Sequence, residues 1–181
     1  SFNRIIAEKN NLGLFNTEDI NWSDVETTIS ANMHSVTSQN IANKSITLVK
    51  NQRNIIPVSP KKYTDVTHIM LSMDEGIKSI FKNYAKDIKK THGNVQEIYI
   101  NDKLSRLGIK EILTQIKKTD LIIISMLVRI RMDKGISTID DTHNLLISKI
   151  KKLKIPILGI SFGSPYLPDY SNLDAYMCTY G

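Results

Sequence analysis

The 181-residue sequence contains one cysteine, Cys178. A lone cysteine excludes an internal disulfide and falls far short of the ligands a structural zinc site takes. No apolar run approaches the ~20 residues that a membrane-spanning helix needs. There is no internal repeat and no low-complexity stretch. A secretory leader is missing too: Ser1 opens directly into helix-like sequence, which reads as a start inside a longer polypeptide with any targeting signal upstream. Aromatic residues are absent from the lysine clusters behind the net charge of +6. Lys89-Lys90, Lys117-Lys118 and Lys151-Lys152 each close an apolar-periodic helical segment, where cations complement the helix dipole. That placement, with no aromatics to stack bases, favours solvated helix ends over a nucleic-acid groove.

What is present fits one globular domain with a short N-terminal extension, 41% apolar and 23% charged, long enough to bury a large core. Phe2–Leu12 reads as a helix closed by Gly13, followed by a polar link over Asn16–Asn21. Ser23-Asp24-Val25-Glu26 matches a capping box, and Ser30 is a second helix start. Met33, Val36, Thr37 and Ile41 recur at helical spacing. Ser45–Asn51 alternates as a strand does, and Asn54-Ile55-Ile56-Pro57 reads as a short extended piece.

Beyond Pro60 the pattern is regular. Strands are expected at Val66–Met73, Val95–Ile100, Leu121–Val128, Ile155–Phe162 and Ala175–Tyr180. Between them run helical stripes: Ile77, Ile80, Phe81, Tyr84 and Ile88, then Ile109, Ile112, Leu113 and Ile116. A last helix starts at Asp140-Asp141 and turns Leu146, Ile150 and Leu153 inward. This alternation predicts the α/β class, a three-layer sandwich with a flavodoxin-like, mostly parallel sheet and helices on both faces. The organising stretch is Lys154–Pro168. Its unbroken apolar run predicts a strand buried on both faces, delivering Gly163-Ser164-Pro165 to the sheet's carboxyl edge. Ser164 reads there as an N-cap and Pro165 as the first residue of a helix.

Gly159-Ile160-Ser161-Phe162-Gly163 matches the nucleophile elbow pattern, but an elbow serine sits on the strand-to-helix turn and Ser161 lies inside the apolar run. No histidine follows it either, since His34, His68, His92 and His143 all lie upstream. The four histidines fall on unrelated elements without metal spacing and read as structural or solvated. A phospho-acceptor receiver module would need a carboxylate where Arg129 stands and a lysine where Gly163-Ser164-Pro165 stands. A flavin site would need a glycine- and hydroxyl-rich phosphate loop where Ser72-Met73-Asp74-Glu75-Gly76 is acidic. Arg129-Ile130-Arg131-Met132-Asp133-Lys134-Gly135, after a buried strand, supplies cations suited to a carboxylate, a phosphate or sugar hydroxyls, or reads as a loop whose charges face water or a neighbouring domain. Asn101-Asp102 ends the preceding strand in plain turn chemistry.

Three stretches carry a resemblance. They are Arg4-Ile5-Ile6-Ala7-Glu8-Lys9 with Leu12-Gly13-Leu14-Phe15, then Lys44–Asn51 with Ile56-Pro57, then Ser161–Leu167 with Asp174-Ala175-Tyr176 and Tyr180-Gly181. In this order they resemble glycoside hydrolase family 3, and Val128–Arg131 with Gly135 is similar to its β-N-acetylhexosaminidase branch. The resemblance implies that residues 1–22 are a linker helix and connector leaving an N-terminal (β/α)8 barrel absent from this chain. Residues 23–181 would be the C-terminal α/β sandwich domain, cut short after Tyr180-Gly181. Family members are retaining glycosidases whose nucleophilic aspartate lies on the barrel. One branch adds a glutamate acid/base from the second domain, whereas the hexosaminidase branch uses a barrel histidine. The loop after Leu121–Val128 holds no glutamate, which fits the second branch. Retaining chemistry needs two carboxyl groups about 5 Å apart, or a histidine in place of one, and the resemblance assigns both to the barrel.

The expected role is therefore an accessory domain, inactive alone, that takes no cofactor or metal and carries no catalytic residue. It would shape the sugar site with Arg129, Arg131 and Ser164. Its partners would be the barrel of the same polypeptide and, in the whole protein, a carbohydrate substrate, with neither nucleic acid nor a membrane span. A periplasmic or secreted location is the expectation, as is an exposed apolar patch where the barrel docks. The reading from another class is a scaffold or protein-interaction domain without a catalytic role. Were the chain itself to cleave a glycoside, Asp74, Glu75, Asp102 and Asp133 at strand ends would be the candidates.

Overall fold

The computed structural model describes residues 1–16, 20–29, 32–73, 78–116, 118–128, 139–166 and 170–180. The chain divides into two compact units, Ser1–Ile41 and Ala42–Gly181. The first holds α1 (Phe2–Asn11), α2 (Trp22–Ile29) and most of α3 (Asn32–Ser45). Gly13, at φ +69°, ends α1 as expected: its N–H donates to Asn10 O at 2.9 Å and that of Leu14 to Lys9 O at 3.0 Å. The left-handed glycine thus satisfies two carbonyls the helix would leave bare. α2 starts earlier than the capping box suggests. Asn21 is the cap, its Oδ1 accepting from the Ser23 N–H and hydroxyl at 3.2 and 2.9 Å. No described residue of this unit is buried, and Phe2, Trp22, Ile29 and Met33 are widely exposed.

The second unit is built on six strands: β1 (Thr47–Asn51), β2 (Asp65–Leu71), β3 (Asn94–Ile100), β4 (Leu121–Met126), β5 (Ile157–Ser161) and β6 (Ala175–Cys178). Helices α4 (Lys78–Thr91), α5 (Arg106–Gln115) and α6 (Asp141–Lys151) connect β2 to β3, β3 to β4 and β4 to β5. The sheet order is β1-β6-β5-β4-β2-β3. β1 runs antiparallel to β6, and the other four pairings are parallel. Each strand core matches its sequence expectation: β2 and β3 begin one residue earlier, and the other bounds that differ are shortened by one or two residues.

Alternation along the strands sorts the core into two layers. Ile69, Leu71, Ile122, Ile124, Met126 and Ile157 meet Ile109 and Ile112 of α5 and Leu146 and Ile150 of α6. Full burial of a side chain such as Leu146 contributes about 1.5–3 kcal/mol. On the other face Val66, Leu121, Ile123, Leu158 and Ile160 meet Ile88 of α4 and the loop residues Ile55 and Tyr63. Helices therefore cover both faces, and this explains why β4 is buried at every position and reads as one apolar run.

Four local expectations are corrected. Asn54–Pro57 is not extended. It begins inside a 3-10 turn at Gln52–Asn54, with φ positive at Arg53 and Asn54, and the Asn51 side chain holds it. No helix starts at Ser164-Pro165, because 164–166 has no helical conformation. Leu153 is past the end of α6 and 40% exposed. α5 ends at Gln115 with no basic residue in its last turn, so Lys118 lies beyond it, whereas Lys89, Lys90 and Lys151 do occupy last turns.

Candidate functional site

The chain leaves β2 and β4 in opposite directions. β2 leads through α4 to the edge strand β3, and β4 through α6 to β5 on its other side. In a sheet of this kind ligands bind where the order reverses, at the carboxyl ends of those two neighbouring strands. Residues 74–77 and 129–138 follow β2 and β4, so Asp74, Glu75, Arg129, Arg131 and Asp133 lie outside the described residues. What is described is the rim on either side.

On one side β5 leaves the sheet through Phe162, Gly163 and Ser164. The Phe162 N–H donates to Met126 O at 2.8 Å and the Ser164 N–H to Val128 O at 3.3 Å. A Cβ on Gly163 would stand 2.6 Å from Val128 O, so only glycine lets the two strand exits run this close. Ser164 is buried beside the reversal point. Its hydroxyl accepts from the Tyr166 N–H at 3.3 Å, and its carbonyl accepts the Ser161 hydroxyl at 2.6 Å. The Tyr176 hydroxyl donates to Pro165 O at 2.8 Å. Burial, with Cys178 beside it, pushes that phenol well above its usual pKa. These hydroxyls fix the turn, and Ser161 is no nucleophile: it is fully buried and donates to a carbonyl.

On the other side the start of α6 is pinned to the turn after β3. Asp140 caps the helix, its Oδ1 accepting from the Thr142 N–H at 2.8 Å and the Thr142 hydroxyl at 2.6 Å. The Thr142 hydroxyl oxygen accepts the Leu104 N–H at 2.9 Å, and His143 Nε2 donates to Asp102 O at 2.9 Å. The Thr142 hydroxyl holds the Asp140 carboxyl below the usual carboxylate range, so it stays ionised as a cap. Asp102 is exposed and accepts from the Lys103 N–H at 2.7 Å.

Sequence reasoning missed a polar pair under this rim. His68 of β2 and Ser125 of β4 are fully buried, with Nε2 and Oγ 2.8 Å apart. His68 Nδ1 has no partner among the described residues. Burial lowers its pKa to about 4. Tyr84 packs edge-on against His68 at 5.6 Å and against Phe162 at 5.0 Å, and burial raises its phenol to about 12. The signal was legible as two polar residues inside apolar strands, but their meeting depends on sheet register. The pair is no catalytic dyad, since it is sealed from solvent and no described carboxylate accepts from Nδ1. His92 and His143 are likewise buried and hydrogen-bonded, whereas His34 is exposed. Among the described residues no group of three or more His, Cys, Asp or Glu side chains could hold a metal.

By sequence, no family model matches the chain and no curated protein matches it significantly. Solved structures do match. A structure described as β-glucoside phosphorylase BglX aligns over 98% of this chain and 32% of its own, at 22% identity and a TM-score of 0.74. A glycoside hydrolase family 3 β-N-acetylglucosaminidase from Paenibacillus sp. str. FPU-7 aligns over 99% of this chain and 33% of its own, at 14% identity and a TM-score of 0.60. A β-glucosidase from Listeria innocua, solved with glucose, aligns over 95% and 26%, at 13% identity and a TM-score of 0.66. The chain thus has the fold of a domain found in these larger proteins and spans about a third of the length of the first of them.

Proposed function

We propose that this chain is the C-terminal α/β sandwich domain of a retaining glycoside hydrolase of the family 3 type, close to its β-N-acetylhexosaminidase branch. In that reading residues 1–22 lead out of a (β/α)8 barrel, residues 23–181 form the sandwich, and the barrel supplies both catalytic groups. One observation carries it: almost the whole chain superposes on about a third of a β-glucoside phosphorylase. The wide exposure of Phe2, Trp22, Ile29 and Met33 is further support, since apolar helix faces of this kind call for a covering surface.

The test is hydrolysis of a chromogenic N-acetylglucosaminide by this chain and by a polypeptide in which a barrel precedes it. Cleavage by the longer protein alone is the expected result, whereas cleavage by the 181 residues alone would overturn the reading. Within it, Arg129 and Arg131 reach the sugar site from the segment after β4. Replacing both by alanine in the longer protein is expected to raise KM or lower kcat by about tenfold or more, the loss of one charged hydrogen bond. Unchanged kinetics would exclude the role. The scaffold reading draws on a specific observation too: Ser161, Ser164, Tyr176 and Asp140 on the described rim are all engaged in holding backbone.

A further inference from the structure

α5 and α6 lie side by side on one face of the sheet and leave a groove of about 550 Å³ along their outer surfaces. Arg106, Ile109, Lys110 and Leu113 line it from α5, and Leu145 and Lys149 from α6. Each set falls at helical spacing, so both stripes face the same channel. Its floor is apolar, running from buried Ile109 through half-buried Leu113 to Leu145, which is 44% exposed. Its rim is three exposed cations.

The charges are sorted. Arg106, Lys110 and Lys149 have no ion pair with any described residue, although Lys89, Lys90, Lys103 and Lys151 elsewhere all face carboxylates. Each helix keeps its one carboxylate out of the groove. Glu111 faces the opposite groove, between α5 and β3, and Asp141 sits in the first turn of α6 outside the lining.

We propose that this groove docks an acidic amphipathic helix of a partner protein. Apolar side chains at i, i+3 or i+4, and i+7 would fill the floor, and flanking carboxylates would meet Arg106, Lys110 and Lys149. Charge selects the occupant. A basic helix is repelled by three cations, a neutral one leaves them unpaired, and an acidic one gains charge-assisted hydrogen bonds on both rims. α5 and α6 have 10 and 11 residues, a length of about 15 Å that matches three turns of a partner helix.

The experiment uses the full chain and two labelled 18-residue helical peptides with the same leucine stripe, one flanked by glutamate and one by lysine. Fluorescence anisotropy is expected to show micromolar binding of the glutamate peptide alone, weakening as salt rises. Lys110→Glu with Lys149→Glu is expected to weaken it by about tenfold or more and to admit the lysine peptide instead. Leu145→Asp is expected to abolish binding of both peptides. All three positions are exposed, and an unchanged thermal melt verifies that the variants fold. Equal binding of the two peptides, no binding of the glutamate peptide, or indifference to the charge reversal would overturn the proposal. So would binding of the chain to phosphatidylserine vesicles, abolished by the same reversal, without peptide binding.

Discussion

His68 stands fully buried in the second strand with one ring nitrogen on Ser125, so its neutral form is the one the fold tolerates. Burial lowers its pKa from 6.5 to about 4. Above pH 6.5 the ring is neutral in folded and unfolded chains alike, and its contribution is fully present. Between 6.5 and 4 only the unfolded chain takes up the proton, so stability falls with pH by about 3 kcal/mol in all. Urea unfolding at several pH values should show this slope, and His68→Gln should flatten it; parallel curves for the two proteins would exclude His68 as the cause. A polar residue inside the expected strand Val66–Met73 was visible from sequence. Its partner was not, because Ser125 meets His68 only through the register that sets β2 beside β4. Gly159 tells the same story: the elbow-like pattern marks it, yet what it packs against is the Leu173 side chain, which a Cβ there would overlap.

At the scale of elements, the Asn51 side chain holds the turn that leaves β1. Its Oδ1 accepts from the Ile55 and Ile56 N–H groups at 3.0 and 3.1 Å, and its Nδ2 donates to Ile56 O at 2.9 Å. Asn51→Ala leaves these groups without partners in a part-buried turn and should cost about 1–3 kcal/mol. Asn51→Asp keeps the two accepted bonds and should lose less. Shifted urea midpoints at constant slope would verify both, and a midpoint unmoved by Asn51→Ala would show that water replaces the side chain. From sequence the pair Ile55-Ile56 before Pro57 looked extended, since one side chain bonding three backbone groups leaves no periodic trace. Ser164-Pro165 failed as a helix start for a physical reason. The carbonyls of Ser164 and Pro165, which a first turn would use, accept the Ser161 and Tyr176 hydroxyls instead. Pro168 has no N–H to compete for the first of them. The strands and the helices α4 to α6 were legible because two-sided burial writes apolar runs and stripes straight into the sequence.

Across the whole molecule, layer order and strand content were legible, whereas the neighbour of β1 was not. Alternation announces a strand but not where it pairs. β1 pairs with β6, so Thr47 lies opposite Cys178 with nearly the whole second unit between them in sequence. Closing so long a loop is slow, and local strand–helix–strand units should form first. Pulse-labelled hydrogen exchange during refolding should find the β2–β5 amides protected before those of Thr47–Asn51; simultaneous or earlier protection of β1 would contradict this. The same pairing sets a timetable during synthesis. β1 leaves the ribosome first among the strands and its partner last. Until residue 178 emerges, Ile46, Leu48 and Val49 wait on a ribbon with no neighbour, and that wait is the interval in which a nascent chain is most open to a wrong strand from another molecule.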